Sequence, residues 1–318
     1  MRMFVLAMGL LALGLAPAAA AQTAVAASSA PDGPGALAHF DLARKDCLGT
    51  ARNTTSRVWF TLANGVLSDV YYPTIDNTNV ETLQFIVTDG STFTDLQTRD
   101  TTYTTSVLDT HDRALDCRVT TTAKSGKYRL VTDYLTDPDQ NTLVIRARFQ
   151  PLVGDTANYR LYVRYDPTIN GNGGGGSANA GGDSGTVDSS TGQPFPVAFD
   201  TVTQTNAANR DYAQPVFSAL AGSTAFKQVS NGFAGAASDG LVQLDAAHAL
   251  TRCTRTRPMA ISCRRSSSTL ARRARSLLRS VLALRKLRPS APPAHRCARI
   301  SASSNNATKQ VGKTTTEA

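Results

Sequence analysis

The chain has 318 residues and a formal net charge of +9, from 33 Lys+Arg against 24 Asp+Glu. That charge belongs to no single folded unit: residues 1–250 hold 17 basic against 23 acidic residues (net −6), and residues 251–318 hold 16 against one, Glu317 (net +15). An acidic body that carries nearly all of the aromatic residues argues against nucleic acid as its partner and supplies enough apolar material for a sizeable core.

Residues 1–21 read as an export signal. Arg2 gives the positive start, residues 4–15 are an apolar run, and Pro17-Ala18-Ala19-Ala20-Ala21-Gln22 offers small residues for cleavage. The run is shorter than the ~20 residues needed to span a bilayer. An exported protein, periplasmic or extracellular, is the expectation. Residues 22–35, rich in Ala, Ser, Pro and Gly, read as a disordered linker, and residues 36–250 as the folded body.

That body reads as strand after strand. Val58, Phe60 and Leu62 alternate with Arg57, Trp59 and Thr61, and Asn64-Gly65 is a two-residue hairpin signal before a return strand over 66–72. Leu83, Phe85 and Val87 form the next alternation, closed by Asp89-Gly90. Ser125-Gly126 separates strands at 115–122 and 128–134; Leu143, Ile145, Ala147 and Phe149, then Tyr159, Leu161, Val163 and Tyr165, continue the pattern. Period-two patterns with one apolar face predict an all-β fold, a large antiparallel β-sandwich. Residues 170–192 read as a Gly/Ser/Asn/Asp loop. Within it Gly171-Asn172-Gly173-Gly174-Gly175-Gly176 lacks the βαβ surroundings of a dinucleotide fingerprint.

Of the five cysteines, Cys47 and Cys117 belong to the body and are candidates for a disulfide in an oxidising compartment, although nothing in the sequence makes them neighbours. Four scattered histidines and no CxxC pattern give no reason to expect a metal, and no cofactor is expected. Asp137-Pro138-Asp139-Gln140-Asn141 opens like a calcium loop, but Arg148 stands where the bidentate Glu belongs, so a β-turn is expected.

The chain has only two glutamates, Glu81 and Glu317, which excludes a hydrolase that works with a pair of glutamates from this chain alone. The densest polar and aromatic cluster is residues 71–81. There Tyr71 and Tyr72 can stack on sugar rings, while Asp76, Asn79 and Glu81 can hydrogen-bond hydroxyls. Asp76 and Glu81 are also the nearest thing to a local carboxylate pair, set against the plainer reading of a strand end followed by an Asx-rich loop. Trp59 falls on the strand face opposite Phe60, as a platform for a sugar or another domain. Arg146, Arg148, Arg160, Tyr162 and Arg164 are read as the polar faces of two neighbouring strands.

Several long motifs occur in order: Gly33-Pro34-Gly35-Ala36, His39-Phe40-Asp41, Arg44-Lys45-Asp46-Cys47-Leu48-Gly49-Thr50, Val58-Trp59-Phe60-Thr61, Gly65-Val66-Leu67-Ser68-Asp69-Val70-Tyr71-Tyr72-Pro73 and Leu83-Gln84-Phe85-Ile86-Val87-Thr88-Asp89-Gly90. With Asp137-Pro138-Asp139 and Tyr165-Asp166-Pro167 they make the body resemble the N-terminal domain of bacterial glucodextranases and glucoamylases of glycoside hydrolase family 15. The resemblance implies an antiparallel super-sandwich placed before an (α/α) barrel. In the family that barrel carries the two catalytic glutamates and cleaves α-glucosyl units from chain ends. It implies α-glucan (starch, dextran or oligosaccharides) and the barrel as partners. No residue here matches the catalytic motifs, so no catalytic residue is assigned, and the resemblance implies the accessory N-terminal part of an exported exo-acting α-glucosidase, expected to be inactive by itself. A stand-alone α-glucan-binding module and a small hydrolase built on Asp76 and Glu81 are the other readings.

Residues 251–318 depart from that resemblance. Rich in Arg, Ser, Ala, Thr and Pro, they read as a basic, low-complexity tail, disordered or partly helical, of the composition an altered reading frame yields. Within the tail, residues 270–287 have the leucine spacing of a basic helix suited to an anionic surface.

Overall fold

The computed structural model describes residues 28–32, 45–108, 115–171, 183–200, 204–207, 210–212, 215–255 and 277–286. The expected export signal lies outside them, as do most of the linker and most of the tail.

In chain order the strands are β1 (Ser28–Ser29), β2 (Cys47–Thr50), β3 (Trp59–Ala63), β4 (Val66–Tyr71), β5 (Thr78–Thr88), β6 (Thr94–Leu96), β7 (Thr101–Val107), β8 (Cys117–Ala123), β9 (Tyr128–Thr136) and β10 (Thr142–Pro151). There follow β11 (Arg160–Gly171), β12 (Ser184–Asp188), β13 (Phe195–Asp200), β14 (Gln204–Ala207), β15 (Arg210–Tyr212), β16 (Val216–Gly222), β17 (Gln228–Val229), β18 (Thr254–Arg255) and β19 (Leu277–Lys286). Two α-helices interrupt them, the single turn α1 (Gln97–Asp100) and α2 (Gly240–Ala247).

The described strands form two main sheets. One has nine strands in the order β1-β12-β13-β16-β19-β10-β9-β8-β7. The other has six, β11-β5-β4-β3-β2 with β6 added on β5. Every pairing is antiparallel, so each sheet can bury one face and leave the other to polar groups. Phe60 and Leu62 of β3 and Leu83 and Phe85 of β5 meet Leu130 and Tyr134 of β9 and Leu143 and Ile145 of β10 in one interior. The period-two reading thus gives the right face on β3, β5 and β10.

Turn chemistry holds the registers. Asn64 and Gly65 both have positive φ (53° and 74°), the backbone of a tight two-residue hairpin whose twist suits the flanking strands. Asp89 Oδ1 accepts from the Ser91 and Thr92 N–H groups at 2.9 and 2.7 Å, and Asp137 Oδ1 accepts from Asp139 N–H at 2.8 Å. Both are aspartates that close Asx turns with their own side chains. Gly49 is required for packing: a Cβ there would run into the Phe60 ring and the Leu115 carbonyl. Cys47 of β2 and Cys117 of β8 are disulfide-bonded, joining one sheet to the other with 6.4 Å between their Cα atoms.

Three expectations need correction. Residues 170–192 are not one loop, because β11 runs through Gly171 and β12 begins at Ser184. The Thr186 and Val187 positions of that stretch pair with Val197 and Pro196 of β13, so composition alone misjudges it. Arg146 and Arg148 lie on β10 and Arg160, Tyr162 and Arg164 on β11, in different sheets, so the two polar faces are not neighbours. Residues 277–286 form a strand instead of part of a basic helix: their apolar run enters the sheet between β10 and β16, where ladder bonding on both sides outweighs local helix preference.

Candidate functional site

The six candidate contact residues do not share one environment. Trp59 stands directly opposite Tyr71 across the β3–β4 ladder, on the face turned away from Phe60 and Val70. Both rings are half-buried, so each presents an edge to the outside. Beside them, Asp69 is almost fully enclosed and accepts from Lys45 Nζ, from Thr61 Oγ1 at 2.8 Å and from Ser68 Oγ at 3.2 Å. Burial first, and then the Asp69 charge, raise the Tyr71 phenol above its ordinary value, keeping it a neutral donor. This outer patch can stack an apolar ring face and hydrogen-bond its rim.

Tyr72 and Asn79 point the other way. Tyr72 is part of the main core. Asn79, with no exposed surface, donates through Nδ2 to the carbonyls of Tyr72 (2.8 Å) and Asn77 (3.1 Å), and its Oδ1 accepts from the Asn170 N–H at 3.0 Å. Asn77 donates to Asn170 Oδ1 at 2.9 Å. The Asx-rich segment is therefore a structural knot joining the β4–β5 connection to the end of β11. Asp76 is exposed in that connection and Glu81 half-buried within β5. What the structure brings together on one accessible surface is Trp59 and Tyr71.

Two further charged clusters escape sequence reading, because their members are far apart in the chain. Arg164 bridges Asp166 (2.7 Å) and Asp239 (3.2 Å), the latter capping α2 with its Oδ1 accepting from Leu241 N–H at 2.9 Å. Through this bridge, residues 228–255 are clasped onto the outer face of β5 and β11, where Leu244 and Leu250 cover Ile86 and Tyr162. The Tyr162 and Arg164 positions of the polar face read on β11 are in this way covered by the chain itself, while Arg160 is exposed.

At the opposite edge of β11, both Asp183 oxygens lie 3.1 Å from the Ile169 N–H. Burial first, then the charge of Asp200, push the Asp183 carboxyl up to about 7. A carboxyl raised above its unfolded value of ~3.9 contributes fully below that value and loses its contribution as pH rises through the folded one. We expect Asp183→Asn to leave stability nearly unchanged near pH 4 and to raise it at pH 8 by up to about 4 kcal/mol. Urea unfolding at the two pH values checks this, and an equal effect at both would contradict it.

Among the described residues, no group of three or more His, Cys, Asp or Glu is placed to hold a metal ion, and no helix is long and apolar enough to cross a membrane.

The family model described as glucodextranase, domain N, matches residues 30–263. A glucoamylase of Clostridium sp. (strain G0005) is 43% identical over 145 residues, 46% of this chain and 20% of that protein. A crystal structure of a bacterial glucoamylase complexed with acarbose superposes with a TM-score of 0.61 at 29% identity, covering 80% of this chain and 34% of that one. The chain therefore spans a fifth to a third of the length of these relatives.

Proposed function

The chain belongs to the glucodextranase domain N family, and from that premise we propose that its sandwich is the accessory N-terminal domain of an exported, exo-acting α-glucosidase of the glucoamylase or glucodextranase type. In such an enzyme the α-glucan is hydrolysed by an (α/α) barrel, and the sandwich braces that barrel. The observation that carries the reading is the family match over residues 30–263, which takes in nearly all of the described sandwich.

The fate of six aspartates supports it. Asp69 is taken up by Lys45 and Thr61, Asp133 by Arg118, Asp166 and Asp239 by Arg164, and Asp89 and Asp137 by turns. A glycosidase needs two carboxyl groups facing each other across a sugar-sized gap; these are committed to holding the fold. Purified chain incubated with maltooligosaccharides or isomaltose is expected to release no glucose. Steady turnover by a homogeneous preparation would sink the proposal.

A second reading, a stand-alone α-glucan-binding module, is favoured by the Trp59–Tyr71 pair on the outer face. Affinity electrophoresis in starch or dextran gels separates the two. If the module binds, Trp59→Ala should weaken retardation about tenfold, the worth of one stacked ring. Identical mobility of parent and variant at every glucan concentration would remove this second reading.

A further inference from the structure

The nine-stranded sheet contains a join that the chain makes only late. β10 pairs with β9 on one side and β16 with β13 on the other, and the two meet only through β19, antiparallel to both. Positions 142–148 of β10 register with 283–277, and positions 216–222 of β16 with 286–280. The register sets Leu282 opposite Leu143 and Leu278 opposite Ala147, two residues that line the core. It also sets position 279 opposite Arg146. Without β19, two strand edges would face each other across a gap of about two strand spacings, roughly 9–10 Å. Their inward N–H and C=O groups would lack ladder partners there. Such a gap fits one extended segment and no helix.

We propose that the cleft between β10 and β16 is a strand-accepting site and that Leu277–Lys286 is its separable occupant, a donor strand. Main-chain ladders on both sides supply the affinity and select an extended segment. Residues 256–276 join this strand to β18 in the chain, so the occupant is tethered to its own acceptor. Occupancy from within the same chain therefore dominates, and a free segment competes only when the resident strand is weakened.

The test uses the full chain. Trypsin is offered Arg264, Arg265, Arg272, Arg273 and Arg275 in the connection, and Arg279 and Arg285 within the strand. A bond inside a central strand opens only with the sheet, so cleavage after Arg279 should be at least about tenfold slower than in the connection. The nicked fragment beginning at Ser276 should co-elute with the body on gel filtration. Equal cleavage rates, or a fragment that elutes alone, would overturn the proposal. In a second arm, Val281→Pro removes a ladder donor from a strand bonded on both sides. The variant should lose protection at Arg279 and take up a labelled peptide of residues 277–286, which the parent, with its site filled, does not. A variant as protected as the parent overturns the proposal, as does a folded variant that ignores the peptide. Should the variant fail to fold, the trypsin result on the parent decides.

Discussion

Replacing Arg164 with Met should cost about 3–5 kcal/mol, the scale expected when one partner is removed from a buried ion cluster. The guanidinium is 17% exposed and lies between Asp166 at 2.7 Å and Asp239 at 3.2 Å, with side-chain exposures of 16% and 9%. Methionine keeps an apolar stem of similar length, so the loss is electrostatic more than volumetric. The two carboxylates already differ. Burial, the largest influence, raises Asp166, and the Arg164 charge only partly offsets it. Burial also pushes Asp239 upward, but the Arg164 charge and the N–H groups of Gly235 and Leu241 outweigh it and hold Asp239 below its ordinary range.

The signs give the pH dependence. Asp239, lowered in the folded state, stabilises the fold above its unfolded pKa, and that stability is lost as pH falls. Without Arg164 both carboxylates remain buried and face each other, so the penalty is full at pH 7 and shrinks as acid protonates them. Chemical unfolding of Arg164→Met at pH 7 and pH 4.5 should show the larger deficit at pH 7. Adding Asp166→Asn should recover part of it. A deficit independent of pH would mean that lost packing, and not stranded charge, is responsible. The same variant should loosen α2, seen as faster hydrogen exchange over residues 240–247, because Asp239 caps that helix.

Strand positions were legible in the sequence wherever one face is apolar and turn residues mark the ends. Phe60 and Leu62, Leu83 and Phe85, and Leu143 and Ile145 all line the core that their alternation predicts. The antiparallel sandwich and the family both followed from local pattern and ordered motifs. What was not legible depends on partners distant in the chain. Tyr72 and Asn79 have the same residue types as a sugar-binding loop. Asn79 becomes structural only because Asn170, ninety-one residues later, folds back onto it. Arg164 reads as a solvated strand position until Asp239 is brought over it by a helix whose short apolar spacing gives little signal of its own. Residues 277–286 show why leucine spacing alone is ambiguous: the same run fits a basic helix or a strand, and the open place between β10 and β16 selects the strand.

Removing the disulfide should be the other large effect. Cys47 and Cys117 are separated by 70 residues, and their bond ties β2 of the six-stranded sheet to β8 of the nine-stranded sheet. Closing a loop of that length lowers the entropy of the unfolded chain by an amount worth about 4 kcal/mol at 25 °C on the chain-entropy model. Both cysteines are buried in the main core, beside Leu62 and Val119, so alanines at these positions leave apolar surfaces and a small volume deficit. The Cys47→Ala/Cys117→Ala variant should therefore unfold at a distinctly lower urea midpoint. Adding reductant to the parent should lower its midpoint by a similar amount, while leaving that of the variant where it was. Because most of the effect lies in the unfolded ensemble, the m-value should rise as the midpoint falls, the unfolded chain being freer to expand. A reductant that shifts parent and variant equally would show that some other thiol chemistry, such as at Cys253, governs the response. An unchanged midpoint in both experiments would mean that packing between the sheets holds β2 against β8 without the bond.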